Sequence, residues 1–355
     1  MLILAADIGG TNARLLLAAC GHGDSGHDGA RPGGVRWRAL RRQVVRSADF
    51  AGIEALLEHF LPPGEHVHAA CLAVAGPVRA DPPHGGPVRL TNLPWTVDAD
   101  ALAARFGFDR VRLLNDFAAQ AHGLPLLGAD DVRTLQRGVP QAGGVCALIG
   151  AGTGLGMALL AGAPDATTSG GTIALPSEGG HADFAPRDAQ QIALLQHLLP
   201  VHGRVSLELL LSGHGLERLY RFVARLPAAA APADPIGSHP DAGAISAAAL
   251  AGEAQAAAAV ELFARLLAAA AGNLALTSLA RGGVFLSGGI APRILPFLQQ
   301  PAVRAAFTDK PPMRALLEQI PLHVVTNDQL GLLGAAEVAA RLAAHTGAPR
   351  PATRG

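Results

Sequence analysis

The sequence predicts an α/β protein of two domains. Three observations lead to this prediction. The chain up to about residue 124 reads as strands and helices in the order βββαβαβ, which is typical of an α/β domain. A strand, a glycine turn and a second strand over residues 2–18 recur over residues 145–161, with apolar and glycine positions that coincide. The length of 355 residues also fits two domains of ordinary size.

Local patterns predict each element of the first domain in turn. LILAA and LLLAAC are apolar runs separated by DIGGTNAR, so they predict two strands joined by a tight turn. RWRALRRQVV predicts a third strand, and apolar residues at helical spacing predict a helix within 49–61. The remaining elements are a buried strand at VHAACLAVAGPV, a turn at TNLPW, a helix from Asp98 to Phe106 and a strand at VRLLND.

The second half repeats this organisation. After the repeated hairpin, the sequence predicts a long helix over about 253–278, a strand with another glycine turn within 282–294, and a last core strand within 321–328. LGLLGAAEVAARLAAH predicts a final helix. We expect a small α/β domain formed by residues 1–124 plus 329–355 and a large α/β domain formed by residues 125–328.

Composition excludes several classes of partner. The 28 basic and 28 acidic residues balance, which argues against nucleic acid as a partner and against electrostatic attachment to a membrane.

LAAC at 17–20 resembles a lipoprotein cleavage box, but the residues before it lack a basic segment and a continuous apolar run. Cys20, Cys71 and Cys146 are far apart and predict free thiols in a reducing compartment. We expect a cytoplasmic protein without a membrane partner.

Lysine content narrows the possible chemistry. Lys310 is the only lysine, and no Gly-Lys-Ser or Gly-Lys-Thr occurs, so a P-loop is excluded. Lys310 also lacks the strand context of the protein-kinase lysine. If the protein binds phosphate, the cations available to it are arginines or a bound metal ion.

Three glycine turns are candidates for binding phosphate. Backbone N–H groups in such turns point toward one spot and form a nest for an anion. One such turn alone is also compatible with an ordinary hairpin, but two at matching places and a third after another strand favour the nest. The residues concerned are Gly9, Gly10, Thr11 and Asn12 in the first turn, Gly150, Gly152, Thr153 and Gly154 in the second, and Gly288 and Gly289 in the third.

Charged residues beside the first turn suggest how phosphate charge is balanced. Asp7 precedes the turn and would repel phosphate unless a cation lay between them, so we expect it to hold Mg²⁺ through water. Arg14 follows the turn and is a second candidate for neutralising charge. His22, Asp24, His27 and Asp28 lie in a glycine-rich loop and are metal-capable types, but a loop of this composition offers no fixed geometry.

Asn115 and Asp116 end an apolar strand, and spacing alone leaves their role open. A carboxylate at such a position suits a general base that accepts the proton of an attacking hydroxyl. Asn and Asp are also favoured caps of the helix predicted from Phe117. Glu208 has a similar ambiguity, because a glutamate at an apolar helix start can simply be solvated.

Six motifs in one order carry a family resemblance. They are ADIGGTNAR, LLNDFAAQA, GAGTGLGMA, LPSEGGHADFAP, LSGHGLERLY and GGVFLSGGIAPR. In this order they resemble the motifs of bacterial glucokinases, hexokinase-type enzymes with the two-domain actin-like ATPase (ribonuclease H-like) fold and an interdomain cleft. The resemblance covers about residues 2–340. The related ROK kinases and repressors carry a CxCGxxGC zinc motif, which this sequence lacks.

The resemblance implies a reaction and the residues that perform it. It implies ATP-dependent phosphorylation of glucose at O6, the first step of glycolysis, with ATP and Mg²⁺ along the three glycine turns and a homodimeric state. It implies that Asp116 is the base and that the sugar ligands are Asn115, Glu178, His181 and Glu208, with Asn92 a weaker candidate. Carboxylates suit this task because they accept hydrogen bonds from neighbouring hydroxyls.

Other activities stay open from sequence alone. The substrate could be another hexose such as mannose, fructose or an amino sugar, and the donor could be polyphosphate. A sugar-sensing regulator on the same fold would not require Asp116 together with three intact turns. An ATPase of the same fold would not need Glu178, His181 and Glu208.

Overall fold

The computed structural model describes residues 1–21, 36–78, 86–162, 172–225 and 240–344. The chain forms two compact units. The first comprises residues 1–128, 162–174 and 329–355, and the second comprises residues 129–161 and 175–328.

The described residues contain strands and helices in alternating groups. The strands are β1 Leu2–Ile8, β2 Asn12–Gly21, β3 Arg36–Arg46, β4 Ala69–Val74, β5 Val88–Arg89, β6 Thr96–Val97, β7 Arg110–Asn115, β8 Val132–Gln136, β9 Cys146–Ala151, β10 Leu155–Gly162, β11 Thr172–Ser177, β12 Gly283–Ser287 and β13 Leu322–Val325. The helices are α1 Ile53–Phe60, α2 Ala99–Phe106, α3 Asp116–Gly123, α4 Ala189–His202, α5 Leu207–Leu210, α6 Gly213–Val223, α7 Ala242–Leu250, α8 Ala254–Ser278, α9 Leu295–Leu298, α10 Pro301–Thr308, α11 Arg314–Gln319 and α12 Leu330–Ala344.

The first unit is built on a five-stranded sheet in the order β3-β2-β1-β4-β7. β1 pairs antiparallel with β2 and parallel with β4, and β4 pairs parallel with β7. One face packs on α1 and α2, and the other packs on α12. Burial on both faces explains why β4 is apolar throughout, since every residue of Ala69–Val74 is buried.

The second sheet has six strands in the order β11-β10-β9-β12-β13-β8. Its first five strands repeat the order of the first sheet. The directions also match for four of them, with β9 and β10 as the antiparallel hairpin and β12 and β13 parallel to β9. β8 adds an antiparallel edge strand next to β13. The predicted α/β fold with a duplicated core is thereby confirmed.

The long apolar helix α8 is part of the protein core. It is long and apolar enough to cross a membrane, but 67% of its most apolar 18-residue window is buried inside the protein. Its buried residues, among them Leu262, Phe263 and Leu267, belong to the core of the second unit. Because α8 is buried in the core of the protein, its composition is apolar.

Candidate active site

The turn Gly9–Thr11 between β1 and β2 is held in place by Ser47. The Ser47 hydroxyl donates to the Gly9 carbonyl over 2.7 Å, and the Ser47 N–H donates to the Thr11 carbonyl over 3.0 Å. Ser47 is fully buried. These two hydrogen bonds to carbonyls of the turn hold its backbone in place. Sequence reasoning did not identify Ser47, because a single serine after a strand carries no pattern.

Close packing explains why Gly10 is a glycine. A Cβ added at Gly10 would lie 2.8 Å from the Cβ of Asn92, so a side chain here would displace the segment that follows β5. Asn92 is exposed and lies directly against the turn. The predicted sugar-side candidate Asn92 and the predicted phosphate turn are therefore neighbours.

Asp7 lies at the end of β1, where α12 begins. In the β1–β2 register Asp7 is opposite Arg14, so the two predicted charged residues are a cross-strand pair. A Cβ added at Gly331 of α12 would lie 2.8 Å from Oδ2 of Asp7. Gly331 therefore gives the carboxylate the space it occupies, and this role was not predicted from the sequence.

The structure shows which of the two residues, Asn115 or Asp116, is the N-cap of α3. Asn115 is the N-cap of α3, because its Oδ1 accepts from the N–H groups of Phe117 and Ala118 at 3.0 and 3.3 Å. Its Nδ2 donates to the Gly76 carbonyl over 3.3 Å. Asp116 is the first residue of the helix and is half-buried, with its Oδ1 2.9 Å from the Phe117 nitrogen.

The predicted residues of the first unit lie along one edge of its sheet. Ile8 of β1 pairs with Val74 of β4, and Val74 pairs with Asn115 of β7. The first glycine turn and Asp116 follow directly after Ile8 and Asn115. At about 4.8 Å per strand, they are separated by roughly 10 Å along that edge.

The second turn, Gly152–Gly154, is anchored by the start of α6. The Gly213 N–H donates to the Gly152 carbonyl over 2.8 Å, and Ser212 caps α6 by accepting from the Gly215 N–H over 3.0 Å. A Cβ added at Gly152 would meet no atom within 4 Å among the described residues. This open space is what an approaching phosphate group requires.

The third turn packs against the second. Gly288 follows β12 with φ of +83°, a conformation that favours glycine, and a Cβ there would lie 2.3 Å from the Ala151 carbonyl oxygen. Gly150 in β9 pairs with Ser287 in β12. Gly289 next to it faces open space among the described residues. The two predicted glycine turns of the second unit are thus brought together.

The three predicted hexose ligands of the second unit form one cluster. Nδ1 of His181 is 3.8 Å from Oε1 of Glu208, and Nε2 of His181 is 3.9 Å from Oε2 of Glu178. The Glu178 side chain is 83% exposed, that of His181 59% and that of Glu208 34%. A cluster with one sheltered and two accessible polar side chains can accept several hydroxyl groups at once.

The cluster is joined directly to the second glycine turn. Oε2 of Glu208 accepts from the N–H of Leu155, the residue after the turn, over 3.0 Å. A Cβ added at Gly154 would lie 2.6 Å from the same oxygen. Glu208 is in the short helix α5, which begins after Ser206 as its N-cap.

Gly179 and Gly180 are required by close packing rather than by an unusual backbone angle. A Cβ at Gly180 would lie 2.1 Å from the Leu155 carbonyl oxygen, and one at Gly179 would lie 2.7 Å from the Met157 sulfur. The 3₁₀ turn Gly179–His181 thereby sits directly on β10. The glycine pair therefore allows the segment that carries Glu178 and His181 to approach β10 closely.

Asp183 is a further carboxylate close in sequence to the predicted hexose ligands. Asp183, which follows the hexose candidates, forms an ion pair with Arg204 at 2.6 Å. The His22–Asp28 loop lies outside the described residues. Cys71 is buried in β4, and burial raises the pKa of its thiol to about 12, which keeps it protonated and unreactive.

The duplicated sheets, with glycine turns at matching hairpins, define a protein of the actin-like ATPase fold with a polar cluster suited to a sugar. The Glucokinase family model matches residues 4–342. Glucokinases of Nostoc sp. (strain PCC 7120) and Yersinia pestis (strain Pestoides F) are 37% and 36% identical, covering 96% and 94% of this chain and 99% and 94% of their own. The chain belongs to the glucokinase family.

Solved structures agree with this assignment. A glucokinase from an Antarctic psychrotroph superposes with a TM-score of 0.79 at 34% identity, covering 95% of this chain and 98% of its own. A Balamuthia mandrillaris glucokinase in complex with glucose gives a TM-score of 0.73 at 26% identity, covering 95% and 93%. A ROK family glucokinase from Streptomyces griseus, in complex with glucose and AMPPNP, gives 0.59 at 20% identity over 96% and 99%, and shares the fold.

Proposed function

We propose that the protein transfers the γ-phosphoryl group of ATP to O6 of glucose, forming glucose 6-phosphate and ADP. The observation that carries the proposal is the hydrogen bond between Glu208 and the N–H of Leu155. It joins a cluster of hydroxyl acceptors to a glycine turn suited to phosphate. A protein that only hydrolysed ATP would have no need of this connection.

The sugar is held by Glu178, His181 and Glu208 in this proposal. The carboxylates accept hydrogen bonds from hydroxyl groups, and bonds to a charged acceptor are the stronger kind. Oε2 of Glu208 is already bound to Leu155, which leaves Oε1, on the His181 side, for the sugar. Asn115 uses its amide oxygen to cap α3, so its contribution to the sugar is limited to its Nδ2.

Asp116 is proposed as the general base. It accepts the proton of O6 while O6 attacks the γ-phosphorus and the bond to the ADP oxygen breaks. Two features support this role. The capping position is filled by Asn115, and Asp116 is half-buried at the end of a strand, next to the edge that carries the first glycine turn. A positioned base contributes about 10²- to 10⁴-fold to such a reaction.

The nucleotide phosphates are assigned to the three glycine turns. Thr11 and Thr153 are exposed at the first two turns and add hydroxyl donors, and Gly152 and Gly289 leave open space for an anion. Asp7 has the oxygen donors that Mg²⁺ prefers and is the residue proposed to hold it through water. Mg²⁺ supplies charge neutralisation of the phosphates when it is bound. Arg14, opposite Asp7, adds a fixed positive charge on the same strand pair.

Measuring ADP release over a panel of hexoses tests the proposal. We expect rapid ADP release with ATP, Mg²⁺ and glucose, slow release without sugar, and no reaction when polyphosphate replaces ATP. Faster turnover on mannose, fructose or an amino sugar than on glucose would identify that sugar as the substrate. Glucose binding without turnover would favour a sugar sensor, and sugar-independent ADP release would favour an ATPase.

The proposal extends to cellular location and assembly. We propose that the enzyme acts in the cytoplasm, where ATP and glucose meet, and that it is a homodimer. Sedimentation of the purified protein tests the assembly, since a monomer at micromolar concentration would contradict it.

A further inference from the structure

A polar groove lies in the second unit, away from the glycine turns. Its volume is about 630 Å³, within the range of small-molecule sites. It is lined by Thr134, Leu135, Gln136, Arg137, Arg304, Thr308 and Glu318. β8 is three strands from β9 in the sheet, which is roughly 14 Å at about 4.8 Å per strand. The groove is therefore separate from the proposed phosphate turns of this unit.

Two arginines give the groove an affinity for anions. Arg137 follows β8 and Arg304 lies in α10, and both are exposed. Within the part of the chain that the structure describes, neither guanidinium has a hydrogen bond or an ion pair. Unpaired guanidinium groups match the geometry of phosphate and can bind it through two parallel hydrogen bonds.

The same groove contains acceptors for hydroxyl groups. Nε2 of Gln136 donates to the carbonyls of Leu317 and Ile320 at 2.8 and 2.7 Å, which fixes the amide and leaves Oε1 as its acceptor. Glu318 has no ion pair among the described residues, although two arginines line the same groove. An inorganic anion would make no use of these acceptors, whereas a phosphorylated polyol would.

We propose that this groove binds a phosphorylated sugar, with its phosphate on Arg137 and Arg304 and its hydroxyls on Glu318 and Gln136. The proposal goes beyond the proposed function and does not depend on it, because binding in the groove needs no turnover. It gives the enzyme a second site for the chemical class to which its proposed product belongs.

Calorimetric titration with glucose 6-phosphate tests the proposal. The titration is carried out with glucose and a non-hydrolysable ATP analogue in excess, so that the proposed active site is filled. We expect saturable binding to the wild type and a loss of affinity of about tenfold or more in Arg137→Gln and Arg304→Gln. Arg133→Gln is the matched control, since Arg133 is also in β8 but its guanidinium already donates to the carbonyls of Asp130 and Val132.

A second ligand separates a sugar phosphate from free phosphate. Inorganic phosphate is expected to bind more weakly than glucose 6-phosphate, and Glu318→Gln is expected to weaken only the sugar phosphate. Equal affinity for both ligands, with no effect of Glu318→Gln, would reduce the groove to a site for simple anions and overturn the proposal. Absence of binding to the wild type, or binding that both arginine variants retain, would overturn it as well.

Discussion

Glu208 accepts a hydrogen bond from the backbone N–H of Leu155, with 3.0 Å between Oε2 and the nitrogen. Leu155 is the first residue after the turn Gly152–Gly154. The other oxygen of Glu208 lies 3.8 Å from Nδ1 of His181. One side chain therefore contacts both the proposed phosphate turn and the proposed sugar ligands.

Glu208→Gln is expected to weaken the contact with the sugar and to keep the hydrogen bond from Leu155. The amide oxygen can still accept from Leu155, but the negative charge that holds a sugar hydroxyl is lost. We expect the KM for glucose to rise about 10- to 100-fold, the range for a lost hydrogen bond to a charged group, while the KM for ATP stays near that of the wild type. Steady-state kinetics with each substrate varied in turn measures both.

Two further variants complete this test. Glu208→Ala also removes the acceptor for Leu155, so both KM values are expected to rise. Glu261→Gln on the exposed face of α8 is the control and is expected to change neither. If Glu208→Gln raised the KM for ATP more than the KM for glucose, the assignment of Glu208 as a sugar ligand would be contradicted.

Gly180→Ala is expected to damage sugar binding more than Gly179→Ala does. The added methyl group at residue 180 would be 2.1 Å from the Leu155 carbonyl oxygen, which belongs to β10 and cannot move alone. The methyl group at residue 179 would meet the sulfur of Met157, a flexible side chain, at 2.7 Å. Thermal unfolding and the KM for glucose should both rank the variants in this order, and equal effects would argue against the packing explanation.

Ser47→Ala is expected to weaken ATP binding. It removes the 2.7 Å hydrogen bond to the Gly9 carbonyl and loosens the first turn. Ser246→Ala is a matched control, because its hydroxyl is also buried and donates to a carbonyl, that of Ala242, over 2.7 Å. Each variant should lose about 1 kcal/mol of stability, but only Ser47→Ala should raise the KM for ATP. A similar KM for ATP in both variants would remove the positioning role of Ser47.

Lys310→Met is expected to stabilise the protein in a pH-dependent way. Burial, reinforced by nearby Arg187, lowers the pKa of Lys310 from 10.5 to about 8. Below the folded-state pKa both the folded and unfolded chains carry the charge, so folding bears its full desolvation cost. Between the two pKa values the unfolded chain binds more protons and stability rises with pH, and above 10.5 the cost is gone.

The difference in melting temperature between Lys310→Met and the wild type measures this effect. We expect it to be greatest near neutral pH and to shrink as the pH rises from about 8 to 10.5. Lys310→Arg keeps its charge over this range and should show no such rise in stability. If the difference in melting temperature between Lys310→Met and the wild type were the same at all pH values, the lowered pKa of Lys310 would be contradicted.

Much of the fold was predictable because its signals are local. Glycine turns between apolar runs predicted both hairpins, and a helical pattern predicted α8 and α12. Asp98 was placed at the start of α2 and is its N-cap, accepting from the N–H groups of Asp100 and Ala101. β5 and β6 were not predicted as strands, because two residues each are too short to show a period of two.

The residues that hold the candidate site in place were harder to predict, since their role depends on contacts between segments distant in the sequence. Gly331 lies against Asp7, and Ser47 lies against Gly9, but neither residue belongs to a motif. The sequence also left open whether Asn115 or Asp116 caps α3. The two residues have similar capping preferences, and only the backbone position of Asn115 at the end of β7 decides it.

The most direct test of the account is the turnover of Asp116→Asn with ATP and glucose. The structure predicts that this variant folds, because Asn115 supplies the cap of α3. Asp100→Asn is the control, as Asp100 is also an acidic residue in the first turn of a helix. We predict that kcat falls about 10²- to 10⁴-fold in Asp116→Asn, with calorimetric glucose binding retained, and is unchanged in Asp100→Asn. A folded Asp116→Asn variant with kcat close to that of the wild type would contradict the assignment of Asp116 as the base.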